Sequence, residues 1–487
     1  MNAPETVTAG NDPITDAMMK LLDAQRQDYL KEGHVSAETR IDRLNRGVAA
    51  IAKHQDKLVE ALNTDFSCRP RELSMLTDIA GSIMPMKNAA KHVRKYMKPE
   101  KRKALFPINL LGGRARIEYQ PLGVVGIISP WNFPVNLTFG PLADILAAGN
   151  RAIIKPSEFT PTVSEVMAEV IRDAYDEKEV AICPGGPEVG AAFTSLPFDH
   201  MIFTGATAIA RHVMAAAAKN LVPVTLELGG KSPVLISRSA DIKKSISRIM
   251  LGKTMNAGQI CLAPDYLMVP EEKLDEVIGE IKASVSEMYP KLLDNPQYTS
   301  VVNDRHFQRL QGNLEDARAK GGEIIEMNPA GEDFSAQQGT QKIAPTVIKN
   351  PSEDMRVLEE EIFGPLLPIK TYKDFGETID YVNSKPRPLA VYYFGEDSRE
   401  ERDVLDRTTS GGVCLNDVIM HIMQEDLPFG GVGPAGMGSY HGHDGFKTFS
   451  HAKGIFKQSK FDIAGLAGMR PPYGSKTENS IKMQTKV

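Results

Sequence analysis

Cysteine is scarce in this chain: Cys68, Cys183, Cys261 and Cys414 are the four in 487 residues. They lie far apart and form no CxxC pair, so their spacing supports neither a disulfide framework nor a zinc site. Such a set suits a reducing compartment, where one thiol stays free for chemistry. Charge of one sign is also lacking. A net charge of -5 is too small for this length to imply an electrostatic grip on nucleic acid. The basic stretch from Lys98 to Arg116 reads as a solvated face or a subunit contact. No run reaches the roughly 18 uninterrupted apolar residues that a membrane-spanning helix needs. The opening MNAPETVTAGNDPITDAMMK lacks the basic start and apolar stretch of a secretory signal, and the segment after Phe461 is too polar for an anchor. The expectation is a cytoplasmic protein with neither a nucleic-acid nor a membrane partner. H-E-x-x-H, P-loop and G-x-S-x-G elements are missing as well.

Hydrophobic residues at 42% and charged residues at 24% are the balance of a folded protein, and the length exceeds one ordinary core, so two or more large domains are expected. From about residue 14 to 100, apolar positions recur at helical spacing, as in ITDAMMKLLDAQRQDYL and IDRLNRGVAAIAKHQDKLVEALN. Beyond that the chain alternates. RAIIKPS, EVAICPG, HMIFTG and VPVTLELGG read as strands, with SEVMAEVIRDAYD and IARHVMAAAAKN as helices between them. Val124 to Ile128 reads as a strand buried on both faces. After Gly230 a second series follows: SPVLIS, DYLMVP, PTVIKN and LAVYYF as strands, with three helices between. The rhythm predicts an α/β fold with two parallel sheets. Two extended pieces, Arg114 to Gln120 and Phe446 to Lys457, fit neither series and read as strands that leave the main body, to pair with each other or with another subunit.

Several side chains carry potential chemistry. Cys261, in NAGQICLAPD, follows a Gly-containing turn near a strand start; a thiolate there would be a strong nucleophile, whereas a single cysteine taken alone is more often a small buried hydrophobe. Glu227 ends an apolar strand at a Gly-Gly turn, the crevice position of open α/β sheets. A carboxyl partly removed from water acts as a base near neutral pH; the alternative is an ion pair with Lys231. Asn132, between two prolines beside Trp131 in SPWNFP, suits a preorganised amide donor to an oxyanion, or an ordinary turn residue. Lys155 and Glu158, in IIKPSEFTP, stand where an acidic group accepts the ribose hydroxyls of an adenosine, and the same segment resembles a helix start. Thr204, Gly205, Ala206 and Thr207 join a strand to a helix whose free amides would attract a pyrophosphate, although no GxGxxG occurs there. Glu361 and Phe363, in LEEEIFGP, suit a nicotinamide ribose and ring, or belong to a surface acidic run. HGHD at 441–444 lacks the further ligands of a zinc site, and no metal is expected.

PWNFP, KPSE, FTGAT, ELGGK, GQIC, EIFGP and PFGG occur in this order between about Gln120 and Lys457, and together they resemble the aldehyde dehydrogenase superfamily. The resemblance implies a Rossmann-like NAD-binding domain (1–103 and 123–229), an α/β catalytic domain (230–440), and oligomerisation strands with a C-terminal tail (104–122 and 441–487). It implies that Cys261 is the nucleophile and that Asn132, with the Cys261 backbone amide, forms the oxyanion hole. Glu227 is implied as the base for thioester hydrolysis. Trp131, Lys155, Glu158, Thr204, Gly205, Thr207, Glu361 and Phe363 are implied on the cofactor side, and Phe429 shapes the substrate funnel or packs beneath it. VTLELGGKSP, GQICLAPDY and PFGGVGPAGMGSYHGHDGFKTFSH resemble the class-3-like branch, and within it the bacterial coniferyl aldehyde dehydrogenase group. That implies oxidation of an aldehyde to its acid with NAD (NADP possible), a small-molecule aldehyde substrate and a homodimer. Ala206 stands where many relatives carry Ser, and Ala210 where Gly often permits close helix packing. Four alternatives stay open: a dehydrogenase of fatty or other aromatic aldehydes, transfer of the thioester to coenzyme A (against which Glu227 argues), a non-catalytic binding protein on the same scaffold, and a cysteine hydrolase, against which the lack of a His near Cys261 in sequence argues.

Overall fold

The computed structural model describes residues 13–106 and 108–486; the reading that the chain starts without a secretory signal rests in part on residues 1–12, outside that range. Three sheets organise the chain. The first has six strands in the spatial order Gly436–Met437, Val224–Leu228, His200–Gly205, Val124–Ile128, Arg151–Lys155 and Val180–Ile182. All pair in parallel except Gly436–Met437. Arg151–Lys155 and the first four residues of Val124–Ile128 are buried, as a sheet covered by helices on both faces requires. The chain starts in the middle at Val124, moves one way to Val180, then returns to His200 on the other side. That reversal opens a crevice at the carboxyl ends of Val124–Ile128 and His200–Gly205.

The second sheet has seven strands, ordered Glu323–Glu326, Thr346–Lys349, Leu366–Tyr372, Tyr266–Pro270, Pro233–Ile236, Ala390–Phe394 and Gly412–Leu415. Only the first pair is antiparallel. The third sheet is antiparallel and three-stranded: Glu100–Arg102, Arg114–Pro121 and Ser450–Lys457. The two extended pieces therefore pair with each other, from Arg114 opposite Lys457 to Pro121 opposite Ser450. Phe446 is a correction to that reading. It belongs to the helix Gly442–Thr448 and is fully buried. The glycines of HGHDG fit that packing, since a Cβ at Gly445 would lie 2.0 Å from the Asp144 carboxylate.

The sheets follow the expected division of the chain only in part. Glu100–Arg102 lies in the three-stranded sheet, and Gly436–Met437 pairs beside Glu227 in the first sheet. A two-residue strand carries too few residues to show an alternating pattern.

The N-terminal helices Pro13–Glu32 and Ala37–Asp65 clamp the outer edge of the first sheet. Gln25, fully buried, donates to the carbonyls of Ala152 at 3.0 Å and Glu177 at 2.7 Å. Arg151 reaches Asp28 and Glu32, each at 2.6 Å, and Arg43 joins Glu32 to Glu179. The apolar face of Ala37–Asp65 buries Leu44, Ile51, Leu58 and Leu62 completely; truncating any of these to alanine costs about 2–5 kcal/mol in a packed core.

On its solvent side, the same helix meets Pro161–Ala174 through Lys53 and His54, both 2.6 Å from Asp173. These partners hold the Asp173 carboxyl well below its ordinary range, at about 2 with the His54 hydrogen bond first among the causes. A carboxyl whose folded pKa is depressed stabilises the fold above its unfolded value of about 4, and that contribution is lost as pH falls towards 2. Asp173→Asn is expected to lower the melting temperature at pH 7, with the gap to wild type closing below about pH 4. A gap unchanged from pH 7 to pH 3 in thermal scans would show that the ion pairs contribute nothing.

Candidate active site

Cys261 lies between the carboxyl ends of the first sheet's strands, near Glu227 in Val224–Leu228, and the amino end of Tyr266–Pro270 in the second sheet. The helix Ile242–Thr254 stops, and the chain turns through Asn256, Ala257 and Gly258, all with positive φ at 50°, 52° and 73°. Asn tolerates that left-handed region, and Ala rarely enters it. At Gly258 the requirement is also steric, because a Cβ would stand 2.3 Å from the Gly364 carbonyl oxygen. Cys261 thus sits in a turn, not at a strand start; the strand begins at Tyr266. Gln259 holds the turn. Its amide donates to the carbonyls of Asn256 and Ser300, and its oxygen accepts from the Val302 amide.

Burial dominates the electrostatics around the sulfur. It pushes the Cys261 thiol up to about 12, with the Glu361 and Glu227 carboxyls adding to the rise and the backbone amides of Cys261 and Leu262 opposing it. Glu227 is 3% exposed. Neither carboxylate oxygen has a hydrogen-bond partner, and burial raises its pKa well above the ordinary carboxyl range. The alternative pairing with Lys231 does not form: Lys231 instead binds Asp265 and the carbonyls of Val357 and Glu360. Asn132, also 3% exposed, donates from Nδ2 to the Gln259 carbonyl at 3.1 Å. That bond ties the PWNFP turn to the turn that presents Cys261, and a primary amide has a second hydrogen to give.

These residues share one cavity of about 710 Å³, a volume typical of ligand sites. Its lining includes Trp131, Asn132, Lys155, Glu158, Thr204, Gly205, Glu227, Cys261, Glu361 and Phe363. Thr207 is the exception among the expected site residues. It is not part of the lining, and its hydroxyl donates to the Pro434 carbonyl. Lys155 donates to Glu158 at 2.8 Å, which keeps that carboxylate charged. Glu361 is no surface acid. Its carboxylate packs so closely on Gly229 that a Cβ there would be 2.1 Å away, and burial lifts it to about 8.

The segment around Glu361 is held from behind. Arg309 donates to the carbonyls of Glu361, Ile362 and Phe363, while the Asp265 carboxylate accepts from the Ile362 amide. Phe363 adopts φ 46°, a conformation that a bulky residue keeps only when its surroundings enforce it. Its ring meets Trp131 edge-on at 5.3 Å, and Trp131 packs on His306 at 4.9 Å. His306, Arg309 and Asp265 are absent from the sequence-based site. The first two lie on an amphipathic helix whose pattern signals only packing. Phe429 is buried beneath the site, stacked on His441 at 5.4 Å. His443 stacks on Tyr96 at 4.9 Å. Among the described residues, no group of three His, Cys, Asp or Glu side chains forms a metal site.

The cavity fits a dinucleotide. Pro187, Ala191, Ile209 and Val213 give its far end apolar walls suited to a flat base. Lys155 and Glu158 follow, then the helix start after Ala206, which has no side-chain cap. Glu361, with one buried oxygen unpartnered, and Phe363 stand on the side nearest Cys261. No helix among the described residues is long and apolar enough to cross a membrane.

Comparison with known proteins bears on the family and the fold. The model of the aldehyde dehydrogenase family matches residues 7–455. A probable coniferyl aldehyde dehydrogenase of Caulobacter vibrioides is 55% identical over 487 residues, all of both chains. A coniferyl aldehyde dehydrogenase of Pseudomonas sp. is 56% identical over 93% of each chain. Among solved structures, a substrate-bound AldH of Staphylococcus aureus superimposes with a TM-score of 0.89 at 34% identity, covering 96% of this chain and 99% of its own. The chain belongs to the aldehyde dehydrogenase family, and its activity is the oxidation of an aldehyde with a nicotinamide cofactor.

Proposed function

We propose that the chain oxidises coniferyl aldehyde to ferulate with NAD, through a thioester on Cys261. The observation that carries the mechanism is one buried cavity that brings together a thiol, an unpaired carboxyl and an amide donor: Cys261, Glu227 and Asn132. The two relatives matched over nearly the whole chain at 55% and 56% identity support the substrate.

The Cys261 thiol gives its proton to solvent and the sulfur adds to the aldehyde carbon, the carbonyl electron pair moving onto oxygen. The oxygen that becomes negative is met by Asn132 Nδ2 and the Cys261 amide, donors fixed before the reaction by the interlocked turns. When bound, the nicotinamide cofactor supplies the hydride acceptor, leaving a thioester on the sulfur. Glu227, once deprotonated, accepts a proton from the water that attacks the thioester, and Cys261 leaves as the thiol. Trp131, Lys155, Glu158, Thr204, Gly205, Glu361 and Phe363 would hold the cofactor, with the helix start at Thr207 facing its pyrophosphate through backbone amides. The Glu158 carboxylate repels a 2′-phosphate, which favours NAD over NADP. The exposed edge of Ser450–Lys457 supports a homodimer built through the three-stranded sheet.

Turnover is tested by following NADH formation with coniferaldehyde, benzaldehyde and a long-chain aliphatic aldehyde. Coniferaldehyde is expected to give the highest kcat/KM, and Cys261→Ala to abolish the reaction; activity that survives in this variant would sink the mechanism. A preference for the aliphatic aldehyde would move the chain to the alternative substrate class. Glu227→Gln is expected to slow thioester hydrolysis by about 10²-fold or more, so rapid mixing would show a burst of NADH followed by slow turnover.

The protonation states yield a separate check. With the Cys261 thiol raised to about 12, the cofactor-free enzyme holds little thiolate at neutral pH. Its alkylation by iodoacetamide is expected to accelerate about tenfold per pH unit up to at least pH 9.5, since the rate follows the thiolate fraction. A plateau below pH 8 would show that the thiol is not raised.

A further inference from the structure

We infer that Arg69 is a positioning residue for the oxyanion donor, acting with Asp78 as a clamp on the turn that carries Asn132. The inference rests on reading Asn132 as that donor. Arg69 is fully buried, and its guanidinium donates from Nη1 to the Asn132 carbonyl at 2.8 Å and from Nη2 to Asp78 Oδ2 at 2.6 Å. The other oxygen of Asp78 accepts from the backbone amides of Val135 at 3.2 Å and Asn136 at 3.4 Å. One ion pair therefore grips the PWNFP turn at both ends.

Three observations set this pair apart from ordinary packing. Removing two charges from water is expensive, and an apolar pair of similar volume often serves stability as well; here both partners are fully buried and spend three of their bonds on the backbone of a single turn. Asp78 also sits within a π-helical stretch, Met75–Ala80. Such widened turns are rare and concentrate at functional sites, because they displace one side chain from its α-helical position. Finally, the rings of Phe66 and Phe133 lie 4.7 and 5.0 Å from the guanidinium carbon, which leaves it little freedom to swing.

The clamp also reaches the nucleophile's turn. Asn256 Nδ2 lies 3.3 Å from the Asn132 carbonyl and 3.3 Å from the Gln259 carbonyl, and Gln259 in turn accepts from Asn132 Nδ2. With Arg69 in place, the Asn132 backbone is fixed against Asp78 on one side and against the Cys261 turn on the other. The remaining amide hydrogen of Asn132 is then aimed before substrate arrives. Lysine at position 69 would keep the charge but not the planar fork that serves two acceptors together.

The test is a double-mutant cycle on kcat/KM for the aldehyde at saturating NAD, using Arg69→Lys, Asn132→Ala and their combination. Asn132→Ala is expected to lose about 10²–10³-fold. Arg69→Lys is expected to lose about tenfold alone, yet no more than about twofold in the Asn132→Ala background, as residues acting through one group are non-additive. Its dissociation constant for NAD, read by protein fluorescence, is expected to stay within about twofold of wild type, which a general collapse of the site would not allow. An equal loss in both backgrounds, or no loss alone, overturns the clamp. Full activity in Asn132→Ala overturns instead the oxyanion reading on which it rests. Should Arg69→Lys fail to fold, Asp78→Asn replaces it in the same cycle, with the same non-additivity expected and the same additive result decisive against the inference.

Discussion

The burial of the acidic groups in the crevice between the two parallel sheets governs the rest of the molecule. A thiol and two carboxyls approach each other there, and the surrounding chain offers them no lysine or arginine as a direct partner. Burial lifts all three towards their neutral forms, because an ion in a poorly polarisable medium costs far more than its protonated counterpart. The fold keeps basic groups nearby but commits them elsewhere. Lys231 is spent on Asp265 and two carbonyls, Arg309 on three carbonyls, and Lys155 on Glu158 and the Pro156 carbonyl. Those cations stiffen the walls without neutralising the reacting groups.

Stiffness is the second half of the arrangement. The crevice is lined largely by turns, not by strand interiors, and turns move unless their backbone polar groups are occupied. Each functional turn here is occupied. Gln259 makes three hydrogen bonds that tie the Cys261 loop to itself at Asn256 and to Ser300 and Val302, Arg69 and Asp78 close the Asn132 turn, and Arg309 with Asp265 closes the Glu361–Phe363 segment. The left-handed conformations of Asn256, Ala257 and Phe363 persist on that account.

Much of this was legible in the sequence, and the reasons separate cleanly by residue. Strands such as Arg151–Lys155 and Val224–Leu228 are apolar runs that end at Pro or Gly, so both their type and the chemistry at their ends, Lys155 and Glu227, could be read locally. Asn132 stood out because prolines flank it. Thr207 misled because a helix start predicts free backbone amides, and says nothing about where its hydroxyl will find an acceptor. Phe446 misled because the short helix Gly442–Thr448 contains two glycines, Gly442 and Gly445, and carries no helical signal of its own. Arg69 and Asp78 were invisible, since a charged residue in a polar stretch reads as surface unless the partner 60 residues away is known. His306 and Arg309 were hidden in the same way on a helix whose amphipathic pattern accounts for them without any site.

The raised pKa values also order the chemistry. Cys261 is raised by both Glu227 and Glu361, so the three protons are linked, and each negative charge in the crevice makes the next harder to form. A site of this kind holds one negative charge readily and two with difficulty. In the proposed mechanism the thiolate and the Glu227 carboxylate are needed at different moments, the first for addition and the second for hydrolysis. Once sulfur is bound in a thioester it can carry no charge, so in the proposed mechanism Glu227 ionises with no neighbouring thiolate to oppose it. The burial that keeps the resting thiol protonated also holds Glu227 neutral, so in the proposed mechanism each group gives up its proton only at the stage that needs it.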